Sequence, residues 1–110
     1  MDSVVTWDGA SWAAHPPYQD PGLSARLGRV FTSADGRVRA VYWDAQGPGR
    51  LLEQPKGDEL ICVLAGEAVV EWHGEQSTAR AGDVILWLQD DPPTVVINQA
   101  LRAFCVAWSY

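Results

Sequence analysis

Glu59 opens the apolar run Glu59-Leu-Ile-Cys-Val-Leu-Ala-Gly66, and its residue type in that setting offers the clearest chemistry in the chain. Strand alternation puts Ile61 and Val63 on the same face as Glu59. If that face turns inward, desolvation disfavours the ionised carboxylate, which is how a protein makes a general acid or base that works near neutrality. Glu53 is a second carboxylate on the preceding segment. The two could share a proton or, with Gln54, hold a hard cation. The chain has two histidines. His15 precedes two prolines and reads as a surface loop residue or as an acid or base on a lid. His73 stands at the mouth of the His73-Gly74-Glu75 turn and is expected to face solvent. Arg37 and Arg39 share a strand face and could grip a substrate carboxylate with their planar guanidinium groups. Asp90 and Asp91 sit in a loop, where carboxylates more often serve solubility than chemistry.

These groups must be positioned by strands. Ser24 to Phe31, Arg37 to Trp43, Leu51 to Gln54, Glu59 to Leu64, Ala68 to His73, Gln76 to Arg80, Val84 to Leu88, Thr94 to Asn98 and Arg102 to Trp108 all read as extended. Nearly every gap between them is short and carries Gly, Pro or Asp. No stretch holds a helical period over three turns, so the chain is all-β, a sandwich or a barrel. The first strand of the Glu59 run is expected to end at Gly66, and Ala81-Gly82-Asp83 to launch the Val84 strand. Residues 1–22 read as an irregular arm, with Val4, Val5 and Trp7 as a possible short edge strand, and 23–110 as one domain. Trp43, Trp72 and Trp87 are the aromatics expected around a cavity. Trp72 shares a face with Ala68 and Val70. In the last strand Ala103, Cys105 and Ala107 form a small-residue face that leaves room for a ligand or packs under another sheet.

Composition narrows the function classes. A chain of 110 residues supports one core. It is 47% hydrophobic and 20% charged, with net charge -6, and this is not the composition of a disordered chain. Its basic residues are scattered, so no footprint for a phosphate backbone exists, and nucleic acid is not an expected partner. No basic-then-apolar leader opens the sequence and no apolar run is long enough to cross a bilayer, so membrane association is not expected and a cytoplasmic location is. Cys62 and Cys105 both lie in apolar strands, outside any Cys-x-x-Cys pair, and read as buried free thiols. The six tryptophans, three tyrosines and two phenylalanines favour a packed core with a few rings around a pocket.

The cadence of Glu59 to Gly66, Ala68 to His73 and Gly82-Asp83 to Trp87 resembles the cupin superfamily. It is most similar to the small single-domain cupins of the ureidoglycine aminohydrolase and ethanolamine-utilisation type. The resemblance implies a double-stranded β-helix, or jelly-roll barrel, with Glu59 pointing into it. The family's first motif places a His-x-His pair before a Glu and a Gly seven residues after it. Glu59 and Gly66 have that last spacing, but the histidine positions fall on Leu52 and Gln54, or on Glu53 and Pro55. The second motif opens at Gly82-Asp83, and its histidine falls on Pro93 or Thr94, the latter register placing Asn98 on the family's Asn. The usual metal-binding histidines are therefore absent.

Three readings remain open. One is a metal-independent and cofactor-free enzyme: a lyase, isomerase or cyclase. Glu59, Glu53 and His15 would be its acid-base groups, and Arg39, Trp43, Gln54, Trp72, Trp87 and Thr94 would line the substrate site. A second is a non-enzymatic module that binds or senses a small apolar or carboxylate-bearing molecule. The third is an atypical carboxylate-rich metal site built from Glu53, Gln54, Glu59 and His15. A homodimer is the expected assembly.

Overall fold

The computed structural model describes residues 4–14, 22–51 and 57–110. The strands are β1 (Ser11–Ala14), β2 (Ser24–Thr32), β3 (Val38–Gln46), β4 (Gly49–Arg50), β5 (Gly57–Trp72), β6 (Glu75–Arg80), β7 (Val84–Trp87), β8 (Thr94–Ile97) and β9 (Ala100–Ser109). They form a curled antiparallel sheet ordered β1-β2-β3-β9-β5-β8-β4, with β6 and β7 also paired to β5. The fold is all-β and cupin-like.

The expected strand ending at Gly66 is corrected by the structure. β5 runs unbroken for 16 residues. Its first half pairs with β9 and β7, and its second half pairs with β6 and β8. The register slips by a bulge between Val63 and Ala65, and Gly66 takes φ +78°. A bulge followed by a left-handed residue bends a strand without ending it, so β5 turns the corner of the curl. A side chain at Gly66 would strike the carbonyl oxygen of Ala100, so only glycine fits there.

The concave face is the core. Ile61, Val95, Ile97 and Leu101 are its fully buried bulky side chains, joined by Trp43, Val63, Ile85, Trp87, Ala103 and Cys105. Each buried aliphatic contributes about 1.5–3 kcal/mol from the removal of apolar area from water. The small residues of β9 lie on this face and are filled in by neighbours: Ala103 stands between Trp43 and Val63, and Cys105 between Val41 and Ile61. Cys62 and Cys105 form no disulfide with each other; Cys105 is buried and Cys62 partly so.

The N-terminal stretch departs from the edge strand expected at Val4 to Trp7. Residues 7–9 turn instead, because the Gly9 amide donates both to the Thr6 carbonyl and to its hydroxyl Oγ1, each at 3.1 Å. The strand forms later, as β1, and pairs with β2. Trp12 of β1 lies opposite Gly28, where a Cβ would come within 2.8 Å of the indole. The missing side chain lets the ring settle on the convex face of the sheet. Of the expected strand at Leu51 to Gln54, Leu51 donates its amide to the Val95 carbonyl at 2.9 Å, and the remainder lies outside the described residues.

Candidate functional site

Antiparallel register brings three of the expected site residues into one row of the concave face. Arg39 of β3 is opposite Ala107 of β9, Ala107 is opposite Glu59 of β5, and Glu59 is opposite Trp87 of β7. Residues directly opposite share a face, with Cβ atoms about 4.5–5.5 Å apart. The methyl of Ala107 therefore keeps a low saddle between the guanidinium and the carboxylate. The row grades from wet to dry: Arg39 is exposed, Ala107 half-buried, and Glu59 and Trp87 are 8% and 4% exposed. The indole Nε1 of Trp87 is sealed from solvent and has no acceptor among the described residues. An unmade hydrogen bond of this kind costs about 1–3 kcal/mol, a cost that natural cores seldom carry.

The other expected residues are placed as follows. Trp43 lies on the same concave face, two rows along, and is 4% exposed. Thr94 is exposed on β8, opposite Glu71. Trp72 keeps the strand face of Ala68 and Val70 but is 47% exposed, because its end of β5 runs out past the core. Its indole donates to the Asp91 carbonyl at 3.2 Å and meets the His73 ring edge-on at 4.1 Å. His73 faces solvent, as its turn position suggested, and pairs through Nε2 with Asp91 Oδ2 at 2.7 Å. His15, Glu53 and Gln54 lie outside the described residues.

Two arrangements carry no motif in the sequence. Asp58 is buried beside Glu59 but on the opposite strand face. Its carboxylate accepts from the Gln89 amide at 3.0 Å and from the Tyr110 hydroxyl. Hydrogen bonding to Asp58 and the nearby negative charge raise the Tyr110 phenol above its ordinary 10.0. The second arrangement is an aromatic cluster on the convex face. Trp7 packs against Trp12 at 4.5 Å and Tyr42 at 5.3 Å, and Tyr42 packs against Phe104 at 5.4 Å. At its margin, residues 12–14, residues 24–26, Asp44 and Gln46 line an open groove of about 410 Å³.

A histidine-held metal does not fit the described residues. Of the positions where the cupin pattern places ligands, Glu59 offers a carboxylate, while Pro93 and Thr94 offer no imidazole. Among the described residues no three His, Cys, Asp or Glu side chains gather into a group able to hold a metal ion.

An antiparallel all-β curl with a corner-turning strand and a Gly-Asp turn defines a cupin-type domain. Residues 32–102 match the family described as the EutQ-like cupin domain, and the chain belongs to that family. Among solved structures, it is similar to a provisionally assigned ethanolamine utilization protein Q from Salmonella typhimurium. The two share 27% identity and a TM-score of 0.63, over 77% of this chain and 69% of that one. EutQ of Clostridium difficile superimposes with a TM-score of 0.67 at 15% identity, over 82% and 71%. The polyketide cyclase RemF of Streptomyces resistomycificus superimposes with a TM-score of 0.72 at 18% identity, over all of this chain and 81% of that one. No curated protein matches the sequence.

Proposed function

We propose that the chain is a metal-independent enzyme of small-molecule metabolism, a lyase, isomerase or cyclase, in which Glu59 moves a proton at a carbon next to a carbonyl group. The observation that carries this reading is the Arg39–Ala107–Glu59–Trp87 row. Its exposed cation suits a substrate carboxylate, its buried carboxylate suits an acid-base role, and Ala107 leaves space between them. The indole N–H of Trp87 is a donor in reserve, available to a developing enolate oxygen once the inner wall opens. The cyclase reading also draws on the likeness to RemF, which spans this entire chain.

The test is solvent deuterium exchange. The protein is incubated in D2O with pyruvate, 2-oxobutyrate and 4-oxopentanoate, and loss of the proton signal beside each carbonyl is followed by NMR. Exchange faster than with heat-inactivated protein supports the proposal. Exchange equal to that control for every acid contradicts it.

A second reading, a binding or sensing module, draws on the burial of both Trp43 and Trp87, which leaves the inner wall closely packed. Saturable binding of an acid at Arg39 without exchange would favour it.

We also propose a homodimer through the convex face. Phe31, Ala40, Val106, Leu60 and Leu86 form one cross-strand row, and Tyr42, Phe104, Cys62 and Val84 form the next. Phe31, Val84 and Leu86 are each more than half exposed. Adjacent apolar rows of this extent are the kind of surface that proteins cover with a partner, and a two-fold axis would lay each face on its copy.

A further inference from the structure

The groove lined by β1, β2 and β3 around Arg26 has the parts of an anion clamp. Arg26 of β2 donates Nε to Asp44 Oδ2 at 3.0 Å, and its guanidinium carbon stands 4.4 Å from the centroid of the Trp12 ring. The ring is itself fixed, because its Nε1 donates to the Trp7 carbonyl at 2.7 Å and Gly28 lets it lie against the sheet. Asp44 is a firm anchor, since its side chain is 11% exposed against 49% for Arg26. One edge of the guanidinium plane is thus set by a carboxylate oxygen and one face by an indole. Among the described residues no second carboxylate pairs with Arg26. Its two terminal nitrogens remain to present a planar pair of donors, the geometry that matches a carboxylate. Holding a long arginine side chain in advance lowers the entropy lost on binding. Beside it on the same face stands Ala14, directly opposite Arg26, with Ser24 and Gln46 as neutral polar neighbours and the second Asp44 oxygen buried without a partner among the described residues.

We propose that this groove is a second small-molecule site, in which Arg26 receives the carboxylate of a short-chain organic acid and Ala14 meets its apolar end. The site is separate from the Glu59 row. Arg26, Asp44 and Trp12 belong to the convex side of the sheet, whereas Glu59 belongs to the concave side. It does not rest on the enzymatic reading and stands or falls apart from it.

The experiment is a titration of the whole ¹⁵N-labelled chain at constant ionic strength with acetate, propionate and butyrate, with acetamide and propylamine as controls. The result expected is a saturable shift of the Arg26 Nε and Trp12 indole signals and of the amides of residues 24–26. Binding should tighten from acetate to butyrate, and neither control should produce a shift. Arg26→Lys keeps the charge and loses the fork, so affinity should fall by about tenfold or more. Glu59→Gln should bind like the parent protein. The proposal is overturned if no acid gives a saturable shift at these positions, if acetamide matches the acids, or if Arg26→Lys titrates like the parent. The acid-against-amide comparison needs no variant and so decides the matter even where a substitution disturbs folding.

Discussion

Glu59 and Trp87 stand directly opposite one another on β5 and β7, both facing the core, the carboxylate 8% and the indole 4% exposed. An indole N–H buried without an acceptor among the described residues is a poor solution for stability alone, because a packed apolar ring would serve better there. Trp87→Phe removes the unsatisfied donor together with part of the ring volume. The two effects oppose, so stability should change by no more than about 1–2 kcal/mol, well below the 3–5 kcal/mol usual for truncating a core tryptophan to alanine. Urea denaturation measures this, and a loss above about 3 kcal/mol would show that the N–H is satisfied in solution.

The corner of β5 yields a sharper stability prediction. Gly66→Ala places a methyl against the Ala100 carbonyl at a backbone angle that L-residues rarely adopt. The expected loss is about 2 kcal/mol or more, seen as a lowered denaturation midpoint with an unchanged slope. Gly28→Ala should cost about 1–3 kcal/mol, because its methyl meets the Trp12 indole and the Ala10 methyl, and it should move the tryptophan fluorescence.

The contact between Tyr110 and Asp58 sets a pH dependence with a definite sign. The phenol is raised above 10.0 in the folded chain, chiefly because it donates to Asp58. A raised folded value contributes stability that is present below the unfolded value and is lost as pH rises through the folded one. The C-terminal end of β9 should therefore loosen in the alkaline range above pH 10. Absorbance titration of tyrosinate should show one late-titrating phenol that Tyr110→Phe removes and Asp58→Asn returns toward 10.0. An unchanged titration curve in Asp58→Asn would contradict the contact. Asp35 behaves in the opposite sense. Its hydrogen bond from Ser33 and that from the Arg37 amide lower it below 3.8, so the β2–β3 turn keeps that support above this pH and loses it as pH falls further.

The strand pattern was readable because Gly, Pro and Asp punctuate nearly every gap, and β2, β3, β6, β7, β8 and β9 fall where alternation and turns put them. Gly66 misled because a glycine that ends a strand and one that bends it look alike in sequence. The Arg39–Glu59–Trp87 row was not legible, since it depends on β9 lying between β3 and β5, a long-range pairing that no local signal specifies. The Arg26–Asp44 pair was hidden for a different reason. Counting back from Thr32 opposite Arg39 puts position 26 opposite Ala45, but the bulge between Arg29 and Phe31 slips the register by one and brings Asp44 there instead. A one-residue slip moves a side chain to the other face of the sheet, and no residue type in the stretch announces it.

Dimerisation through the convex face predicts that Leu86→Lys, a charge placed amid the apolar rows, yields a monomer in sedimentation equilibrium while the parent chain sediments as a dimer. Leu86 is 52% exposed, so the substitution should leave the fold intact. A monomeric parent, or a variant that sediments like it, would contradict the proposed interface.

The most direct test of Glu59 as the proton-moving group compares deuterium exchange by the parent chain and by Glu59→Gln, using whichever oxo acid exchanges, at matched folded fraction. Positioned acid-base catalysis is worth about 10²–10⁴-fold, so the variant should fall by that factor while still binding the acid. Equal exchange rates in the two proteins would remove Glu59 from the chemistry and contradict the account.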